Sequence, residues 1–126
     1  MIFVDTSVWV EANRRPTADE ASTLRSLLEA GEVAMALPVR IELLSGIAKK
    51  QRRAFRRLMS ALPVAFPTDE TWYLLDEWTV RAADAGQHFS VPDLLTAALA
   101  FERTALVWSL DTDFEAMEKL GFVRCY

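Results

Sequence analysis

Five carboxylates stand where they could do chemistry together: Asp5, Glu42, Asp93, Asp111 and Asp113. Asp5 ends the apolar run Met1-Ile2-Phe3-Val4, and Asp111 and Asp113 follow the run Ala105 to Leu110; both runs are of the buried-strand kind. Glu42 lies four positions after Pro38 in a helical stretch. Asp93 opens a stretch, Leu94 to Phe101, that is apolar nearly all round and so reads as a central, buried helix. In open α/β sheets, ligands sit beyond the carboxyl ends of the strands, which is where Asp5, Asp111 and Asp113 fall. Carboxylates gathered within a few ångströms repel, so one must take up a proton or gain a counter-ion. A hard divalent ion answers this, since Mg²⁺ accepts oxygen ligands from one or two carboxylates together with substrate phosphates. Such an ion can activate a water for in-line attack on a phosphodiester and stabilise the leaving oxygen. Each acid also has a structural role open to it. Asp5 can cap a strand end, Glu42 can face solvent, and Asp93 and Asp113 can cap the helices they begin.

The rest of the composition removes the competing chemistries. The single cysteine, Cys125, excludes a disulfide framework and a cysteine-based zinc site. The single histidine, His88, excludes histidine-rich metal sites, and no GxSxG accompanies it to suggest a serine hydrolase. The longest near-continuous apolar stretch is far short of the ~18 residues a membrane helix needs. No basic segment precedes Ile2-Phe3-Val4, so no secretion signal is expected. At 126 residues, with 52% hydrophobic and 25% charged residues, the chain reads as one ordered domain in a soluble, reducing setting.

Charge is unevenly placed. Lys49, Lys50, Arg52, Arg53, Arg56 and Arg57 fall within nine positions, and no acid occurs between Glu42 and Asp69. Residues 43–68 therefore carry +6, while the remaining eight cations against 18 acids leave −10. Phe55, Leu58, Met59 and Leu62 share the spacing of one helix face, so this segment is an amphipathic helix with one apolar and one cationic side. A local basic face on an acidic body suits a phosphate-bearing partner or simple solvation.

The elements that must position these groups alternate. Strands are predicted at residues 1–4, 32–37, 64–66, 105–110 and 122–126. Thr6-Ser7 can cap a first helix carrying Val8, Trp9 and Ala12 inward. Thr17-Ala18-Asp19-Glu20 reads as a capping box for a second helix that stops at Gly31. Pro38 suits the first turn of a third, the basic segment forms a fourth, and Thr68 or Asp69 starts a long fifth that closes near Gly86. Ser90-Val91-Pro92-Asp93 starts the apolar helix, and Phe114 to Met117 belongs to a short last one. This alternation means an α/β fold with a mainly parallel sheet and helices on both faces. Trp9, Trp72, Trp78 and Trp108 read as core, with Trp9 and Trp72 also suited to an interface groove.

Four blocks, in order, resemble a known family. Ile2-Phe3-Val4-Asp5-Thr6-Ser7-Val8-Trp9 is similar to the opening of PIN-domain ribonucleases, in particular the VapC toxins of bacterial toxin–antitoxin pairs. Pro38-Val39-Arg40-Ile41-Glu42-Leu43-Leu44-Ser45-Gly46 resembles their second block, Val91-Pro92-Asp93-Leu94-Leu95-Thr96-Ala97-Ala98 the third, and Leu110-Asp111-Thr112-Asp113-Phe114 the fourth. The resemblance spans the chain and implies a single PIN domain over residues 1–126, with a three-layer α/β/α fold. It implies a Mg²⁺- or Mn²⁺-dependent endoribonuclease. Asp5 and Asp93 would be the principal metal ligands, with Asp111 or Asp113 completing the shell. Asp111 ranks ahead, because Asp113 has the competing job of capping the final helix. Glu42 would hold or deprotonate the attacking water, and Thr6 or Ser7 would orient Asp5 or the substrate phosphate. Ser109 stands where the family often lines the pocket with threonine. Lys49, Arg52, Arg53 and Arg56, with Lys50 and Arg57, could hold the RNA backbone or an acidic antitoxin segment. The implied partners are an RNA substrate, a VapB-type antitoxin and a second copy of the chain, and the implied compartment is the cytoplasm, with no membrane contact.

Three other readings compete. A PIN-fold nuclease of RNA processing without an antitoxin fits the same acids. A receiver-type phosphoacceptor also keeps Mg²⁺ among acids on an α/β sheet, but it needs an acid pair after the first strand and a late lysine. This chain has a lone Asp5 and no lysine between Lys50 and Lys119. A catalytically inactive binding module is disfavoured by the presence of all the acids.

Overall fold

A computed structural model describes all residues, 1–126. Four strands, β1 (Ile2–Val4), β2 (Val33–Ala36), β3 (Val64–Ala65) and β4 (Leu106–Trp108), form one parallel sheet in the order β3-β2-β1-β4. Seven helices connect and flank them: α1 (Thr6–Arg14), α2 (Asp19–Glu29), α3 (Leu37–Gly46), α4 (Lys49–Ser60), α5 (Asp69–Asp84), α6 (Val91–Glu102) and α7 (Asp113–Lys119). Every residue of β1 and β2 is buried, so the inner strands are covered on both faces. The result is the expected three-layer α/β/α arrangement.

The strand order positions the site. From β1 the chain steps outward to β2 and β3, then returns across the sheet to β4 on the other side of β1. The order therefore reverses between β1 and β4, the point at which open α/β sheets present a ligand crevice beyond their carboxyl ends. Val4 pairs with Trp108, and the Asp5 amide donates to the Trp108 carbonyl at 2.9 Å. Asp5 and the turn after β4 are thus held side by side. Helix α6 behaves as its composition predicts: Leu94 to Ala100 are all buried, and it packs on α3, α5 and three strands. It drives Asp93, on its first turn, toward the same crevice. Trp78 of α5 stacks on Phe122 at 4.4 Å and meets Phe101 edge-on, sealing the far side of α6.

Several local expectations are corrected. The predicted strand at 122–126 is reduced to a single bridge between Val107 and Cys125, although Val107 still exchanges backbone hydrogen bonds with Arg124 and Tyr126. Only Phe122 and Val123 of that segment are buried, too short an apolar run for a full ladder. The strand predicted to Leu110 ends at Trp108, because the next amides turn away to side-chain acceptors in the site. Asp5, not Thr6 or Ser7, caps α1. The Thr17 box does not form: Ala18 is the N-cap of α2, and Thr17 lies one residue too early. A reciprocal box does form at α5, between Thr68 and Thr71. Trp9, Trp78 and Trp108 are buried as expected, whereas Trp72 is 48% exposed.

Candidate metal centre

The site is built at three helix starts, one turn and the middle of α3. Asp5 is 6% exposed, and its carboxylate accepts the Ser7 amide as the cap of α1. Its Oδ2 also accepts the hydroxyls of Ser7 at 2.8 Å and Ser109 at 2.7 Å. Ser90 caps α6 by accepting the Asp93 amide at 3.2 Å, as the sequence predicts, and this fixes the first turn that carries Asp93. Beyond β4, Asp111 Oδ1 accepts the Asp113 amide at 2.9 Å, folding the turn that leads into α7. Glu42 projects from α3, where Thr6 donates to its Oε1 at 3.2 Å.

These acids share one place. One carboxylate oxygen from each of Asp93, Asp111 and Asp113 lies within 4.8 Å of the others. Asp5 and Glu42 stand outside that trio but within its field. Burial pushes the Asp93 carboxyl up to about 6; a hydrogen bond from Ser90 opposes this, and the charges of Asp5, Asp111 and Glu42 each add to it. Burial also raises Glu42, against the hydrogen bond from Thr6 and with the charge of Asp5. No cation enters the cluster, since the chain's single ion pair joins Arg15 to Glu11 at 3.0 Å on the outer side of α1. Oxygen donors alone, negative charge without a counter-ion and two raised carboxyls fit a hard divalent cation. A thiolate- or imidazole-seeking metal has no ligand here: His88 is an exposed loop residue, and burial with the nearby charge of Glu118 keeps the Cys125 thiol raised.

The structure removes one reason used in ranking the last acid pair. Thr112, not Asp113, is the N-cap of α7, so Asp113 has no capping job. Asp111 instead holds a backbone amide, and both acids lie in the trio. The hydroxyls also have more defined roles than spacing could give. Thr6, Ser7 and Ser109 bind carboxylates of the site itself. A serine two residues after Asp5, and another directly after β4, were the available signals.

The cationic residues are elsewhere. Lys49, Lys50, Arg52, Arg53, Arg56 and Arg57 are all exposed on α4, and none is paired. Met59 is fully buried, and Phe55 meets Trp9 edge-on at 6.2 Å, which seats α4 against α1. Beneath lies an apolar cleft of about 490 Å³ between α1, α2, α3 and α4. Trp9, Leu24, Leu28 and Phe55 line it, and its wall includes both Thr6 and Glu42, so it runs up to the acid cluster. Sequence reading missed this cleft, because its walls come from four separate helices.

Comparison with known proteins agrees with this geometry. The family model described as PIN domain matches residues 2–120. The VapC ribonuclease Mb1587 of Mycobacterium bovis is 34% identical over 125 residues, covering 95% of this chain and 93% of that protein. Ribonuclease VapC11 of Mycobacterium tuberculosis matches to the same extent. Among solved structures, VapBC2 from Rickettsia felis, bound to a DNA fragment from their promoter, superimposes with a TM-score of 0.79 at 18% identity. That match covers 100% of this chain and 98% of the other. VapC20 of Mycobacterium tuberculosis, a sarcin–ricin loop cleaving toxin, gives 0.62 at 22% identity over 92% of this chain and 94% of its own.

Proposed function

Because the chain belongs to the PIN-domain family, and within it to the VapC ribonucleases, we propose that it is a Mg²⁺- or Mn²⁺-dependent endoribonuclease, the toxin of a type II toxin–antitoxin pair, acting in the cytoplasm. The observation that carries this reading is the meeting of Asp93, Asp111 and Asp113 at the β1/β4 switch point, with Asp5 and Glu42 within their field and no cation among them.

Asp93, Asp111 and Asp113 would hold the ion, with Asp5 contributing its free oxygen. When bound, the ion supplies positive charge that activates the attacking water and stabilises the leaving 3′ oxygen. Glu42 is suited to take the proton from that water. Thr6 holds its Oε1, so Oε2 is left to accept. Lys49, Arg52, Arg53 and Arg56 would hold the RNA backbone, which the acid cluster on its own repels. The apolar cleft, with Arg14 and Arg25 at its rim, suits an amphipathic acidic segment of a VapB-type antitoxin. A bound segment there would reach Glu42. A second copy of the chain and a single domain over residues 1–126 complete the reading.

The test is to incubate purified, antitoxin-free protein with total cellular RNA, with Mg²⁺, with Mn²⁺ or with a chelator, and to sequence the new ends. Cleavage that needs metal and leaves 5′-phosphate and 3′-hydroxyl ends is expected. Chelator-resistant cleavage or cyclic-phosphate ends would contradict metal-assisted attack by water.

A further inference from the structure

Resting on the metal-nuclease reading above, we infer that Ser7 and Ser109 are positioning residues: they clamp Asp5 by Oδ2 alone, reserve Oδ1 for the metal and tie Asp5 to the backbone that carries Asp111. Each serine hydroxyl has one proton to donate and can accept in return. Ser7 Oγ donates to Asp5 Oδ2 at 2.8 Å and accepts the Leu110 amide at 3.0 Å. Ser109 Oγ donates to the same oxygen at 2.7 Å and accepts the Asp111 amide at 3.0 Å. The two hydroxyl oxygens are only 3.2 Å apart, but both protons are drawn to the carboxylate, where a charge-assisted bond is the stronger choice. Donor and acceptor directions are therefore fixed throughout.

Two consequences follow for Asp5. Oδ2 already accepts both hydroxyls and the Ser7 amide, which leaves it little capacity for a metal. Oδ1 accepts no hydrogen bond, and no buried side-chain polar atom in the protein lacks a partner, so Oδ1 reaches solvent. Asp5 thus presents one oxygen. The links Asp5–Ser109–Asp111 and Asp5–Ser7–Leu110 bridge more than a hundred residues of chain through one atom each. They set the spacing between the end of β1 and the turn bearing Asp111 and Asp113 before any ion arrives.

The experiment measures Mn²⁺ binding by the intact protein, from the electron paramagnetic resonance signal of free Mn²⁺, for the wild type and the variants S7A, S109A, S7T, S109T, D5N and D93N. Amide hydrogen exchange of the metal-free proteins is followed in parallel. Loss of either hydroxyl is expected to weaken Mn²⁺ binding by ~10–100-fold, as for other residues that orient metal ligands. The threonine variants keep the hydroxyl and should restore it. In the metal-free protein, exchange should accelerate selectively at the Leu110 amide in S7A and at the Asp111 amide in S109A. Wild-type Mn²⁺ affinity in both alanine variants would overturn the positioning role. So would threonine variants as weak as the alanine ones, which would point to packing rather than the hydroxyl. If D5N and D93N bind Mn²⁺ as tightly as the wild type, the metal-nuclease reading falls and the positioning role falls with it.

Discussion

The acid crevice and helix α4 hold charge in opposite ways. In the crevice, carboxylates from distant parts of the chain are brought near one another; Asp93 and Glu42 are partly desolvated, and Asp5, Glu42 and Asp111 are held by hydroxyls or a backbone amide. On α4, six cations occupy nine consecutive positions, lie in water and have no partner. Surface charge of the second kind costs the fold little, because solvent screens it. Charge of the first kind raises the energy of the metal-free protein, as suits a site that a bound cation completes. The crevice is thus suited to chemistry and α4 to attraction.

Changes at the two regions should separate accordingly. The largest effect is expected from D93N, which should lower RNA cleavage by at least ~10³-fold, the several kcal/mol that metal charge stabilisation supplies. Circular dichroism of that variant should stay native. A triple change on α4, R52A/R53A/R56A, should instead raise KM and leave kcat near its starting value. It should also reduce the slope of log binding against log salt by about 2, at ~0.7 per lost phosphate contact on a single strand. Loss of kcat in the α4 variant would erase the distinction between the regions.

Metal and pH sharpen the same contrast by stability alone. Mn²⁺ at 100 times its dissociation constant should stabilise the wild type by about 2.7 kcal/mol, read as a raised Tm. The α4 triple variant should keep that gain and D93N should lose most of it. The smallest effect concerns Asp93 without metal. Its folded pKa of about 6 lies above the ordinary value of 3.8, so the stability it contributes is full below pH ~4 and is lost as pH rises through 6. Metal-free D93N should therefore melt higher than the wild type at pH 7. The gain should be on the order of 1 kcal/mol, once screening of a half-buried group is allowed for, and should shrink toward pH 4. A lower Tm for D93N at pH 7 would mean that burial and the neighbouring acids do not disfavour the Asp93 carboxylate.

The contrast also explains what could be read from the residues in advance. The charge of α4 is contiguous, and its apolar stripe at 55, 58, 59 and 62 recurs at helix spacing, so both were legible. The strand cores and the buried helix α6 were legible for the same reason: their patterns are local. The acids were legible as a set only through four short blocks matching a family, because their meeting depends on strand order. Which hydroxyl serves which acid was not legible. Thr6 and Ser7 are neighbours in sequence, yet Thr6 turns to Glu42 and Ser7 to Asp5, a choice made by the position of α3. The ranking of Asp111 over Asp113 rested on a cap that Asp113 does not make, because α7 starts one residue earlier than that required. The cleft beneath α4 depends on how four helices lean together, which no single helix pattern encodes.

The most direct test is the anomalous scattering map of a crystal of the protein grown with Mn²⁺. A peak within coordination distance of Asp93 and of Asp111 or Asp113, with Asp5 facing it through Oδ1, is predicted. A crevice without a peak, or a peak bound only on the outer acids of α5, would contradict it.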